Sequence, residues 1–269
     1  MKLGFIGLGA MGGAILQGIL DSGACAPEDA SYTDPHPSAS VATTPGLQRY
    51  ETGLELAHAC DIVVLAVKPH AILEVCATIA PALGNDGPVV VSIAAGRDLA
   101  TLQEALPAKT PVIRVMPNVA ALVQEAMCAL CPGEGVTDEQ LASVKALLDV
   151  LGKTLVLPES SFSAFTALAG SSPAFVAQFV EALARAGLAQ GLSKAQALQA
   201  ATQAVKGTAT LLEHIISEGG TTQTLIDMVS SPGGTTIAGL LAGEEHGFSA
   251  SVAAQVDAVI ARDREMAVG

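Results

Sequence analysis

The chain has no tryptophan, and aromatic residues make up only 3% of its 269 positions. Half of the residues are nevertheless hydrophobic. The core must therefore be built from small aliphatic side chains, and alanine-rich helices of that kind can approach one another closely. Basic residues are scarce too: 13 Lys and Arg stand against 26 Asp and Glu, a formal net charge of −13. Such a surface repels nucleic-acid phosphates and gives no basic face to anionic lipid. No nucleic-acid or membrane partner is expected. An anionic small molecule could bind only where local donors gather, as at helix N-termini.

Cysteine is sparse and odd in number, five in all, at positions 25, 60, 76, 128 and 131. That scatter suits a reduced, cytoplasmic protein better than a disulfide framework. Cys128 and Cys131 form a CxxC with no second such pair in the chain. It could be a redox pair or half a zinc site. Its setting, AMCALCP, alternates like a strand, so two small apolar residues are the preferred reading and no metal is expected. Long apolar runs are missing except for Leu3 to Leu20, which could pass for a signal peptide. Its glycines sit where a phosphate-binding loop needs them, so it reads as strand, turn and helix. No other stretch approaches the length of a membrane span.

What is present begins with that run. Leu3 to Ile6 is a short apolar strand, Gly7-Leu8-Gly9-Ala10-Met11-Gly12 gives G-x-G-x-x-G, and Ala14 to Leu20 continues as a helix. Gly7 permits the tight turn, Gly9 lets a pyrophosphate reach the backbone, and Gly12 lets helix and strand pack closely. The helix start supplies free N–H donors. Buried strands then alternate with amphipathic helices: strands at 31–34, 61–67, 88–94, 111–117 and 154–159, helices at about 53–60, 70–80, 98–106 and 137–150. This order predicts a doubly wound, mostly parallel sheet, an N-terminal Rossmann domain over residues 1–158. Ligands of such sheets bind beyond the strands' carboxyl ends. Those ends read Ala66-Val67-Lys68-Pro69, the stretch Ser92 to Gly96 with Ala94 and Gly96, and Val115 to Asn118. Lys68 either neutralises cofactor phosphate or is a solvated loop lysine. Asn118 either orients the nicotinamide amide or the substrate, or is a turn asparagine. Asp34 lies where an acidic residue grips an NAD ribose, yet His36, Ser38 and Ser40 offer donors beside it, so NAD and NADP both stay open.

Residues 159–269 read as all helix. Ser163 to Ala169 is helical, and the hydroxyls before Pro173 predict a new helix start there. Further helices are expected from an N-cap at Ser193 to Ser217, at 221–229, 235–244 and 249–266. Several are apolar over more than one stripe, which predicts a second subunit completing the core. Between the helices ending at Val229 and beginning at Thr235 the chain interrupts itself with SSPGG and then two threonines. A helix cap explains one hydroxyl and one glycine of that run, not all of it.

The stretches GFIGLGAMG, LAVKPH, SIAAG, RVMPN, ALAGSSPAF and SPGGTTIAGL occur in this order. Together, over essentially the whole chain, they resemble the pyrroline-5-carboxylate reductases. The resemblance implies a Rossmann domain followed by an all-α dimerisation domain, in a homodimer or larger homo-oligomer. It implies hydride transfer from NADPH or NADH to the C=N bond of 1-pyrroline-5-carboxylate, giving L-proline. It also implies a substrate between the nicotinamide and the turn Ser231 to Thr236, with Thr236 hydrogen-bonded to the ring nitrogen and Glu218 positioning Thr236. The substrate's carboxylate would then be held by the backbone N–H groups of Gly233 and Gly234, by the hydroxyls of Ser230, Ser231 and Thr235, and by the positive end of the following helix. Two departures from the family pattern touch the cofactor: TDPHP follows the second strand where the family has a Ser-Asn-Arg-like patch, and Gly53 replaces a common Asn. A third lies elsewhere: Asn118 is followed by Val119 and Ala120 where the family often has NTP. Two rivals are a β-hydroxyacid dehydrogenase-like reductase and a non-catalytic NAD(P)-binding sensor. The first needs a substrate lysine, and Lys194 and Lys206, the only lysines after Lys153, lie in no suitable motif.

Overall fold

The computed structural model describes all residues except 38–40, 42, 85, 86 and 269, and the side chains of 267 and 268. The proposed donors Ser38 and Ser40 lie outside the described residues. Contacts divide the chain into two compact units, Met1–Ser171 with Val259–Gly269, and Ser172–Ala258.

The first unit is built on an eight-stranded sheet: β1 (Leu3–Ile6), β2 (Ala30–Thr33), β3 (Gln48–Arg49), β4 (Ile62–Leu65), β5 (Val89–Ser92), β6 (Val112–Met116), β7 (Ala126–Pro132) and β8 (Gly152–Val156). Their order across the sheet is β3-β2-β1-β4-β5-β6-β7-β8. All neighbours are parallel except β6 and β7, which run antiparallel with Val115 opposite Leu130. β1, β4 and β5 are buried at every position, as strands covered on both faces must be. The covering helices segregate cleanly. α1 (Ala10–Asp21) and α5 (Asp138–Asp149) bury Ile15, Leu16, Ile19, Val144, Leu147 and Leu148 on one face. α2 (Gly53–Ala59), α3 (Ile72–Ile79) and α4 (Leu99–Glu104) cover the other with Leu56, Ile72, Ile79 and Leu102, joined by Phe162 of α6 (Phe162–Phe165). Thr52 and Glu55 form a capping box at the start of α2, and Asp98 caps α4.

Cys128 and Cys131 lie three residues apart on β7, so they point to opposite faces. Cys128 packs with α1 and α5, Cys131 with the other core. They serve neither as a redox pair nor as joint metal ligands.

The second unit contains α7 (Ser172–Ala189), α8 (Lys194–Ser217), α9 (Thr222–Val229), α10 (Thr235–Glu245) and most of α11 (Phe248–Val268). Ser193 caps α8 in a box with Gln196. Small residues set the packing: a Cβ on Gly187 would lie 3.2 Å from Ala197 Cβ. Very little of this unit is enclosed. Ala184, Ala197, Ala201 and Leu225 are its buried hydrophobics, whereas Phe179, Leu183, Leu241 and Phe248 are exposed.

One expectation fails at the start of α7. No helix begins at Pro173; helix runs continuously over Glu159–Ala189, passing through a π turn at Thr166–Ser171. Pro173 has no N–H to give to the carbonyl four residues back, that of Ala169. The side-chain amide of Asn118 donates to that carbonyl instead, at 3.0 Å. The backbone group a proline would orphan is thus satisfied from another element, which lets the helix continue. By length and composition alone, this is also a helix that could cross a membrane, contrary to the expectation that no stretch beyond residue 20 approaches that length.

Candidate active site

The glycine loop joins β1 to α1 at the carboxyl edge of the sheet. Gly7 has φ +98°, and a Cβ there would meet the Ala66 carbonyl at 2.8 Å. A Cβ on Gly12 would lie 2.6 Å from Gly7 O and 2.8 Å from Ala66 Cβ. Both positions therefore require glycine for close packing of loop, helix and β4. Gly9 differs: nothing lies within 4 Å of a Cβ built on it, and it caps α1 with no side-chain bond. The first-turn N–H groups of α1, from Ala10 onward, thus face open space beside a bare backbone. This is a cradle that fits a dinucleotide pyrophosphate.

The other expected cofactor residues gather at the same edge, because β1, β4, β5 and β6 are parallel. β1 lies between β2 and β4, so the strand order reverses direction there, the place where doubly wound sheets bind ligands. Ala66 to Pro69 follow β4, with Lys68 exposed. Ala94 is buried, and Gly96 turns with φ +70° after β5. Arg97, which sequence reasoning missed, ties these two loops: its Nε donates to Pro69 O at 3.2 Å.

Asp34 follows β2. Its Oδ2 accepts the Leu8 N–H at 2.6 Å and its Oδ1 accepts the His36 N–H at 2.6 Å. The carboxylate therefore braces the glycine loop. Beside it lies a cavity of about 220 Å³ lined by Gly7, Thr33, Asp34, Gly53, Val75 and Thr78, among others. Val75, half-buried against the core, and Thr78, exposed, both on α3, carried no sequence signal.

Asn118 is 9% exposed and its side chain is engaged inside the protein. Besides donating to Ala169, it accepts the Met127 N–H at 3.3 Å. Its partners lie 9 and 51 residues away in sequence, so no local pattern could reveal them.

On the second unit, Ser231 to Gly234 form a turn closed by Gly234 N–H to Ser231 O at 3.0 Å. Pro232 and Gly233, with φ +67°, occupy its centre, the arrangement of a type II turn. A Cβ on Gly234 would meet Ser231 Oγ, so the Ser231 side chain would have to turn aside to admit one. Gly234 then caps α10 without any side-chain bond. The first N–H groups of α10, including those of Thr235 and Thr236, thus have no capping side chain. Ser230 Oγ is enclosed and has no hydrogen-bond partner among the described residues. Glu218 ends α8; its carboxylate faces His214 Nε2 at 3.5 Å, and among the described residues no hydrogen bond links it to Thr236. No group of three His, Cys, Asp or Glu among the described residues could hold a metal.

A family model described as "NADP oxidoreductase coenzyme F420-dependent" matches residues 2–96, and one described as "Pyrroline-5-carboxylate reductase dimerisation" matches residues 159–266. The chain is 36% identical to pyrroline-5-carboxylate reductase 3 of Macaca fascicularis over 98% of this chain and 96% of that one. It is 38% identical to the Escherichia coli pyrroline-5-carboxylate reductase over 82% and 87% of the two chains. A solved structure of the Plasmodium falciparum pyrroline carboxylate reductase with NADP bound superposes with a TM-score of 0.87 at 31% identity, covering 99% of this chain and 98% of the other. With a glycine cradle in one unit, a bare-amide turn in the other and likeness along most of the length of its relatives, the chain belongs to the pyrroline-5-carboxylate reductase family.

Proposed function

We propose that the chain reduces 1-pyrroline-5-carboxylate to L-proline, as the names of its relatives imply. A reduced nicotinamide cofactor, when bound, supplies the hydride that adds to the imine carbon. The protein's own residues then have three tasks. The loop Gly7 to Gly12 and the start of α1 hold the cofactor's phosphates, with Ala66 to Pro69, Ala94, Gly96 and Asn118 shaping the same edge. The turn Ser231 to Gly234 and the start of α10 hold the substrate carboxylate through backbone N–H groups, which suits an acidic protein because it needs no basic pocket. Thr236 hydrogen-bonds the ring nitrogen, which gains a proton as the carbon gains hydride. A threonine hydroxyl is too weak an acid to protonate an amine outright, so it relays or orients a proton that arrives with the substrate or through water. Most of the acceleration then comes from alignment. Glu218 acts as a positioning residue for Thr236.

The observation that carries this reading is the uncapped start of α10 behind a Pro-Gly turn, with the unpartnered Ser230 hydroxyl beside it. A helix end left bare in this way favours an anion. The exposed apolar surface of the second unit, together with that of the helical stretch Glu159–Ala189 that leads into it, lies within the residues matched as a dimerisation region. It supports a homo-oligomer, and we infer a homodimer as its smallest form. The five free cysteines support a reducing, cytoplasmic setting.

The test is NAD(P)H oxidation with pyrroline-5-carboxylate, run beside a ketoacid and a hydroxyacid. Turnover confined to the imine supports the reading. Turnover confined to a control acid, or cofactor binding with no turnover at all, refutes it.

A further inference from the structure

We infer that Asp34 makes this chain an NADH enzyme, by holding a fixed negative charge where NADPH would place its 2′-phosphate. The inference rests on the reductase reading for its biological meaning, but its own evidence lies in the first unit. The cavity beside the glycine loop has Asp34 as its one charged lining residue; the rest of its described lining is apolar, glycine, proline or threonine. Arg49 on the neighbouring β3 is exposed and does not line it. Among the described residues, no cation lines the cavity to offset the carboxylate.

Fixity matters as much as charge. A carboxylate on a free rotamer can swing away from an incoming phosphate. Asp34 cannot do so without breaking two charge-assisted hydrogen bonds, at 2.6 Å each, to Leu8 N–H and His36 N–H. One of those bonds belongs to the phosphate-binding loop itself, so turning Asp34 would also loosen the cradle. Each carboxylate oxygen has a lone pair to spare after these bonds. Asp34 can therefore still accept from a ribose hydroxyl while repelling a phosphate at the same place. The departures seen in the sequence fit together here. TDPHP replaces the donor-rich patch, and Gly53 removes a side chain from the lining, leaving the acid as the one charged group in the described lining.

The experiment measures equilibrium binding of NADH and NADPH to the full chain by nicotinamide fluorescence, with 5′-AMP and 2′,5′-ADP as competitors that carry only the adenosine half. The expected result is NADH bound at least about 10-fold more tightly than NADPH, about 1.4 kcal/mol. AMP should compete better than 2′,5′-ADP, and the NADH preference should shrink with added salt as the repulsion is screened. Asp34→Asn should shrink the preference to within about threefold, chiefly by tightening NADPH. If that variant does not fold, the two adenosine competitors on the unaltered chain decide the matter alone. Equal or tighter NADPH binding by the unaltered chain overturns the inference, as does an unchanged ratio in a folded Asp34→Asn. Pyrroline-5-carboxylate turnover supported equally well by NADPH would sink this inference and leave the reductase standing. A clear NADH preference in binding with no turnover of the imine would do the reverse.

Discussion

Replacing Asn118 by alanine removes two hydrogen bonds at once, and neither lost partner has an obvious substitute. The Ala169 carbonyl loses the amide that stands in for the N–H missing from Pro173, and the Met127 N–H loses its acceptor. The residue is 9% exposed, so water does not readily replace either contact. A buried polar group left unpaired costs about 1–3 kcal/mol. Two such groups give an expected loss of about 2–6 kcal/mol for Asn118→Ala, with the cavity from the lost amide adding little. In urea, at fixed protein concentration, this should lower the unfolding midpoint by about 1–2 M. A local readout accompanies it: the Met127 amide should lose hydrogen-exchange protection more than its neighbours on β7. Cofactor affinity should change less than about threefold, since both hydrogen bonds of the side chain go to protein backbone. The reasoning is refuted by an unchanged midpoint and unchanged Met127 exchange together with a tenfold loss of cofactor affinity. That pattern would give the amide to the nicotinamide instead.

Three further outcomes are expected. Thr236→Ala should lower kcat by about 10- to 100-fold with cofactor binding unaltered, the scale of one hydrogen bond to the reacting centre; steady-state rates equal to the unaltered chain's would remove Thr236 from the mechanism. Burial raises the Cys76 and Cys128 thiols from 9.0 to about 11, so native protein at pH 8 should react slowly with a thiol reagent and expose all five cysteines only when unfolded. Below about pH 9 these two thiols are neutral in both folded and unfolded chains; between about 9 and 11 the unfolded chain ionises first, so stability should fall there, and Cys128→Ala should soften that fall. Leu241→Glu places a charge on a side chain that is 65% exposed in the single chain, so the monomer should fold normally while sedimentation shows weaker self-association; an undisturbed oligomer would put the interface elsewhere.

The sheet was readable because its strands are continuous apolar runs between turn residues, and the glycine loop because Gly7 and Gly12 answer steric demands of close packing while Gly9 leaves bare backbone. β3 was not foreseen: Gln48–Arg49 is two exposed polar residues whose strand geometry comes from pairing with Ser31 and Tyr32. β8 was expected at 154–159 and lies at Gly152–Val156. Its register is fixed by Ala126 opposite Gly152, where a Cβ would collide with the Ala126 backbone, a tertiary constraint invisible along the chain. Pro173 misled because proline does favour helix starts; only the remote Asn118 amide makes it tolerable inside one. At the site, residue types were legible but their employment was not. Asp34 looked like a ribose ligand and proves also to brace the glycine loop, a bond across 26 residues that no motif encodes.

The two compact units are joined twice, after Ser171 and after Ala258. Both junctions fall inside helical stretches, Glu159–Ala189 and Phe248–Val268, rather than in a glycine- or serine-rich linker. The helical unit is thus an insertion, closed off by a C-terminal segment whose Asp263 accepts from Ser163 Oγ at 2.7 Å back in the first unit. A protease cut at one junction would leave the fragments bound by the other, and grafting this unit onto a different dehydrogenase would require splicing two helices in phase.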